Sequence, residues 1–252
     1  MNKYATKLAA LALSVSLLSG CTLLHFDDPE EARADQETLN NTAAQQEAVD
    51  YAALLDSEHL QLDDLYKDDT GAVLARYRVS LPWFGESEDQ AVQNINAHYE
   101  EELTALKEDE ESLFALAAEM PSAVVRESVV EYQLLDAPEG YVCALGTLNG
   151  VDTLGRSPTV WFGDVFSAST GWLLRFDDLV EDRGAAMESL TEAAKDWCAR
   201  HGCGDEWLAD FLPGEELTFD RETVWIGLPA GTAPNGETVM ELPFGVLEPY
   251  LK

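Results

Sequence analysis

The sequence predicts an α+β fold in which an antiparallel sheet is packed by two main helices. Three observations carry this. Residues 72–81 alternate, with Val73, Ala75, Tyr77, Val79 and Leu81 on one side, as a half-buried strand requires. After Ser87 the apolar groups fall in steps of three, four and seven instead. Val92, Ile95, Tyr99, Leu103, Leu106, Leu113 and Leu116 form the stripe of a long helix. Beyond Pro121 come short β-branched runs between Pro and Gly turns, interrupted by one further helical stretch over 185–200.

The chain opens with a leader. Lys3 and Lys7 are followed by an apolar run from Leu8 to Leu18 and then by Ser19-Gly20-Cys21. An apolar core of about ten residues is too short for a stable spanning helix and suits a cleaved export signal. Small residues directly before a cysteine are what a lipoprotein signal peptidase needs. The pattern resembles a bacterial lipoprotein signal, which implies lipidation of Cys21 after removal of residues 1–20. The competing reading is an ordinary secretory signal with Cys21 incidental. Residues 21–59 are rich in acidic and amide side chains and poor in large apolar ones, so they read as an acidic tether. A short helix over 45–55 is compatible with it, outside the core. The folded part is expected over 60–252, with a division into 60–137 and 138–252 left open.

Within the folded part, Pro82 ends the first strand and Ser87 is the expected cap of the long helix. Glu100-Glu101-Glu102 and 108–111 are assigned mainly to its solvent side. A strand over 124–134, a turn at Pro138-Glu139-Gly140 and a return over 141–148 make a hairpin. A third strand over 158–167 reaches the turn Ser169-Thr170-Gly171, which completes an antiparallel meander. The second helix presents Ala186, Leu190, Ala193, Ala194 and Trp197 and stops at Gly202. A helical turn over 207–212, strands over 216–219, 223–228 and 238–243, and a closing helical turn over 244–251 finish the chain.

The formal charge is −33, from 48 acidic and 15 basic residues. A chain so negative is repelled by every phosphate, which excludes nucleic acid as a partner. No polybasic patch exists to hold a membrane, so attachment there rests on the lipid alone. Beyond Cys21 the cysteines are Cys143, Cys198 and Cys203, so at most one internal bridge can form. Cys198 and Cys203 are its candidates, provided the helix stops by about Arg200. Cys198-x2-His201-x-Cys203 would need a fourth metal ligand such as Asp205, and its spacing departs from the usual fingers. His25, His59 and His98 form no spaced set with another His or Cys. No metal or cofactor is therefore expected.

No serine sits in a nucleophile-elbow motif, and no histidine has an evident orienting carboxylate. Asp177-Asp178 has the composition of a glycosidase pair, but 48 acidic residues make such pairs by chance. Asp63-Asp64 with Asp68-Asp69 lacks calcium-loop spacing. No catalytic residue is assigned. Trp161, Trp172, Trp197, Trp207 and Trp225 are expected in the core. Trp83-Phe84, past a strand and before Gly85, is the candidate exposed pair for ligand binding.

Four stretches carry a family resemblance. They are Leu81-Pro82-Trp83-Phe84 with Val92-Gln93-Asn94-Ile95-Asn96; Asp164-Val165-Phe166-Ser167-Ala168-Ser169-Thr170-Gly171-Trp172-Leu173-Leu174 with Phe176-Asp177-Asp178-Leu179; Val224-Trp225-Ile226-Gly227-Leu228-Pro229-Ala230-Gly231; and Val239-Met240-Glu241-Leu242-Pro243-Phe244. Their order resembles the extracellular domain of the anti-sigma factor RsiV, found also as an accessory module beside the catalytic domain of the peptidoglycan deacetylase PdaC. The resemblance spans about residues 70 to 252. It implies the α+β fold, an extracytoplasmic location, and cationic proteins such as lysozyme among the partners. The chain departs from the family at 149–157, where members often carry a histidine. The anti-sigma role does not carry over.

The expectation is a lipid-anchored, non-catalytic extracytoplasmic module that recognises a cell-envelope ligand, either a peptidoglycan fragment or a cationic protein. The alternatives are a cell-wall polymer hydrolase using a carboxylate pair, and a passive structural lipoprotein.

Overall fold

The computed structural model describes residues 49–56, 58–120, 122–151, 155, 159–204, 208, 217–228 and 238–252. The leader, Cys21 and most of the tether therefore lie outside the described residues, as do Trp207, Asp205 and the loop over 229–237.

In chain order the elements are α1 (Tyr51–Leu54), β1 (Leu60–Lys67), β2 (Val73–Leu81), α2 (Gln90–Glu119), β3 (Arg126–Leu134), β4 (Tyr141–Val151) and β5 (Thr159–Ser167). There follow α3 (Phe176–Leu179), α4 (Arg183–His201), β6 (Leu217–Phe219), β7 (Thr223–Gly227), β8 (Val239–Pro243) and two 3-10 turns, Phe244–Val246 and Glu248–Tyr250. The fold is α+β, with α2 and α4 as its two major helices. β1 to β5 form one sheet in sequential order, and β6 to β8 form a second.

The five-stranded sheet is antiparallel except at one place: β2 and β3 run parallel, with Tyr77 opposite Ser128 and Val79 opposite Val130. The sheet is thus mixed at that one pairing and antiparallel, as expected, at the others. Parallel neighbours need a crossover of a dozen or more residues, and α2 provides it. Its N-cap is Asp89, whose carboxylate accepts from the Ala91 and Val92 amides at 2.8 and 3.4 Å. Ser87, the expected cap, stands two residues before the cap position and instead accepts from the Asp89 amide. The helix ends at Glu119 because Met120 precedes Pro121 and is driven out of helical conformation, with ψ at 72°. At the end of α4, Gly202 takes the left-handed φ of 68° that a C-cap asks for.

The alternation of β4 and β5 feeds two cores. Val142, Leu148, Phe162 and Phe166 pack under α2 with Tyr77, Val79, Leu81, Val92, Ile95, Tyr99 and Leu106. Cys143 and Val165, pointing the other way, join Leu190, Ala194 and Trp197 of α4 and Phe219, Ile226 and Leu242 of the small sheet. Each such side chain contributes about 1.5–3 kcal/mol on full burial. The 60–137 and 138–252 segments share the five-stranded sheet, since β3 pairs with β4 over eight residue pairs, from Glu127↔Val151 to Leu134↔Ala144.

The folded part begins before residue 60. Val49, Tyr51 and Leu54 pack on the first core, and the Tyr51 hydroxyl donates to the Ala168 carbonyl at 2.8 Å. β1, which the sequence reading did not name, pairs with β2 from Leu60↔Leu81 onward. Asp68 turns this hairpin by accepting from Thr70 Oγ1 and from the Thr70 and Ala72 amides. Asp63 holds Arg76 at 2.8 Å. These acids serve the hairpin.

Asp109, on the helix flank near Tyr77, is pushed up to about 6 by burial and then by Glu108. A carboxyl whose folded-state pKa lies above its unfolded value favours folding when protonated, and this contribution fades as pH rises from about 4 to about 6. Asp109→Asn is therefore expected to raise the melting temperature at pH 8 and leave it unchanged at pH 4. Allowing for its partial exposure to water, the gain is about 1 kcal/mol, or about 2–4 °C. Thermal melts at the two pH values check this, and equal effects at both would disprove it.

Candidate functional site

Two places concentrate chemistry. The first is a buried polar cluster where α2 meets β5. His98 and Glu102 stand one helical turn apart, so both lie over the sheet. Asp164 rises from β5 between Phe162 and Phe166, the two inward neighbours of its own strand face. His98 Nε2 lies 3.4 Å from Glu102 Oε2 and 4.0 Å from Asp164 Oδ2. The side chains of Glu102 and Asp164 are 3% and 0% exposed, against 25% for His98. Donor atoms of the three residues all lie within 4.8 Å of one another.

Tyrosines orient the carboxylates. The Tyr132 hydroxyl donates to Glu102 Oε1, which leaves Oε2 turned to His98. The Tyr99 hydroxyl is fully buried, and its pKa is pushed well above the usual tyrosine range by burial, then by Asp164 and Glu102. It stays protonated and can only serve these carboxylates as a neutral group. Tyr99 and Tyr132 meet edge to face at 5.4 Å, and His98 meets Phe166 the same way at 5.1 Å. Aromatic edges thus fix the imidazole ring as well.

The second place is the other face of the five-stranded sheet. The small sheet covers its β4–β5 end, where Thr218 sits against Gly163. Among the described residues the remainder is uncovered. Two shallow depressions of about 380 and 270 Å³ run across it and share Glu131. Cross-strand register places Ser80, Glu131, Thr147 and Trp161 in one row, with Gln133 and Leu145 beside it. A flat indole therefore stands in a row with hydroxyl, carboxylate and amide groups.

The expected binding pair lies in neither place. Phe84 is fully buried, edge-on to Tyr51 at 5.3 Å, and this corrects its reading as an exposed group. Trp83 is half-buried, with one ring face stacked on His59 at 4.4 Å. Among the described residues no disulfide joins Cys198 to Cys203. α4 runs on to His201, which keeps Cys198 on the buried inner face, and Cys203 lies beyond the left-handed cap. His201 packs on Trp197 at 4.1 Å, and its Nδ1 meets the Trp197 carbonyl at 2.8 Å. Burial pushes the Cys143 thiol up to about 12, as expected of a core cysteine. Asp177 pairs with Arg183 at 2.7 Å, and Asp178 accepts from the Arg175 amide, so this carboxylate pair anchors helix starts.

Three readings of single residues are overturned. Glu102 was assigned to the solvent side and is buried. Trp172, expected in the core, is 57% exposed, and Trp161 is only half-buried and lines the open face. In the sequence His98 forms no spaced set with another His or Cys, whereas the residues beside it in the fold are Glu102 and Asp164. The signal of this cluster was present: 95, 99, 102 and 106 form one helical stripe, and Asp164 interrupts an inward row of phenylalanines.

No family model matches the chain, and no curated protein does. Its fold is similar to two crystal structures. One is a member of the DUF3298 family from Bacteroides fragilis, with TM-score 0.54 and 15% identity, covering 79% of this chain and 94% of that one. The other is a DUF3298 family protein from Pseudomonas aeruginosa, with TM-score 0.55, 16% identity and the same coverage. At this identity the likeness is one of fold. Among the described residues no helix is long and apolar enough to cross a membrane.

Proposed function

We propose that this chain is a lipid-anchored extracytoplasmic binding module without catalysis, of the RsiV type, that recognises the glycan of peptidoglycan on its open sheet face. The observation that carries the reading is the row Ser80, Glu131, Thr147 and Trp161 with Gln133 alongside. An indole face covers the apolar face of a sugar ring, and the surrounding oxygens and amide meet its hydroxyls. Five strands hold these groups in register, so little conformational entropy is lost on binding. Cys21 supplies the lipid, and the residues between it and Val49 supply reach.

A second reading rests on the charge of −33. A cationic envelope-directed protein such as lysozyme would be steered to so acidic a surface without using the groove. The two separate by salt and by one substitution. Trp161→Ala in the full chain is expected to lower retention on peptidoglycan at least about tenfold at high salt, the scale of one lost aromatic anchor. Retention unchanged by Trp161→Ala would remove the groove from the reading. Salt-sensitive capture of lysozyme, indifferent to Trp161→Ala, would favour the cationic partner.

A further inference from the structure

We propose that His98, Glu102 and Asp164 form a binding site for one divalent transition-metal cation, with zinc the best-matched ion. One imidazole nitrogen and two carboxylate oxygens make a mixed nitrogen and oxygen set. Calcium asks for six to eight oxygens and magnesium for an oxygen octahedron, whereas zinc accepts His with Asp or Glu.

The distances suit such an ion. Ligands at roughly 2.0–2.2 Å around a tetrahedral metal stand roughly 3.3–3.6 Å apart. His98 to Glu102 is already 3.4 Å, and His98 to Asp164, at 4.0 Å, needs to close by only about half an ångström. The groups behind the ligands are those a metal site uses. Tyr132 holds Glu102 Oε1, so that Oε2 faces inward, and Tyr99 stands by Asp164. Three protein ligands leave a tetrahedral zinc one further ligand to take, which water would supply.

Charge gives an independent argument. Two carboxylates that are almost fully buried, one of them between Phe162 and Phe166, bring two negative charges into an apolar core. Buried charges are paired or coordinate metals. A divalent cation held by the three side chains would offset both carboxylates. The ion would bridge α2 to β5 and so fasten the long crossover helix to the sheet.

The test uses the full chain, stripped with a chelator and titrated with zinc in salt high enough to screen the acidic surface. One zinc per chain is expected by calorimetry, with a rise of several degrees in melting temperature through binding to the folded state. Cobalt(II) in its place should give a visible d–d band. His98→Ala and Asp164→Asn should each weaken zinc at least about tenfold, the lower range seen even when supporting groups are lost. Glu100→Gln with Glu101→Gln, on the exposed side of α2, should change nothing and so rule out diffuse surface binding. The proposal is overturned if no saturable one-to-one binding survives in salt, or if binding is indifferent to His98→Ala. It is also overturned if the stripped Asp164→Asn protein is more stable than the parent and neither binds zinc, since the carboxylates would then be sharing a proton. His98 is partly exposed, so its variant remains informative should Asp164→Asn fail to fold.

Discussion

Gly171→Ala is expected to cost at least about 4 kcal/mol of stability, which places it among the exceptional single substitutions. For a chain of this size that is about 10 °C or more in melting temperature. Two causes add. Gly171 has φ of +70°, where a Cβ alone costs roughly 1–2 kcal/mol. That Cβ would also stand 2.0 Å from the Ala91 carbonyl oxygen and 2.8 Å from the Ala91 Cα. These are backbone atoms in the first turn of α2, so no side chain can swing away. The turn is held against the helix by Asn94, whose amide donates to the Thr170 carbonyl at 2.7 Å, and by the Asp89 cap. Relief therefore requires the hairpin tip and the helix start to separate. Ser169→Ala, on the exposed side of the same turn, should leave the melt nearly unchanged. A melting temperature for Gly171→Ala within two degrees or so of the parent would mean that the β5 turn does not rest on α2.

The same contact shows what a sequence can disclose. Ser169-Thr170-Gly171 reads as a turn from local chemistry alone, but the reason for Gly at 171 is a helix 80 positions earlier in the chain. Regular elements were legible because period and caps are local: β2, α2, the β3–β4 hairpin, α4 and its Gly202 stop all lie within a few residues of their expected bounds. The parallel pairing of β2 with β3 was hidden, because a long helix between strands fixes no partner direction by itself. β1 was hidden because Asp63, Asp64 and Lys67 mask its alternation; a short helix over 45–55 was legible, but its packing on the core was not, because Tyr51 and Leu54 are few apolar groups in an acidic stretch.

The candidate sites were less legible than the fold. Each depends on which side of an element faces inward, and abundant acidic residues blur that signal. Glu102 sits in a run of three glutamates, where composition says solvent and spacing says core. Spacing wins because Tyr132 and His98 receive the carboxylate. Trp161 errs in the opposite direction. Aromatic residues in strands are usually packed, but the small sheet covers only part of the sheet face, so this indole is left at the margin.

Asn96→Ala is expected to cost about 3 kcal/mol, because it strands two buried backbone groups at once. Asn96 is 7% exposed and points at Phe84. Its Oδ1 accepts from the Phe84 amide at 2.9 Å, and its Nδ2 donates to the Phe84 carbonyl at 2.6 Å. The side chain thus completes the backbone of a segment that has left the sheet at Pro82. Leucine, though more apolar, would do no better, since both backbone groups would remain unsatisfied in the core. The loss should spread in a defined direction. The Gly85 amide bonds the Leu54 carbonyl at 2.8 Å, and the Asp56 amide bonds the Trp83 carbonyl at 2.6 Å, so residues 83–85 hold α1 in place. In Asn96→Ala, hydrogen exchange at Phe84 and cleavage near residues 49–56 should accelerate before global unfolding. Protection of the Phe84 amide equal to that of the parent would show that Asn96 is not what holds this segment.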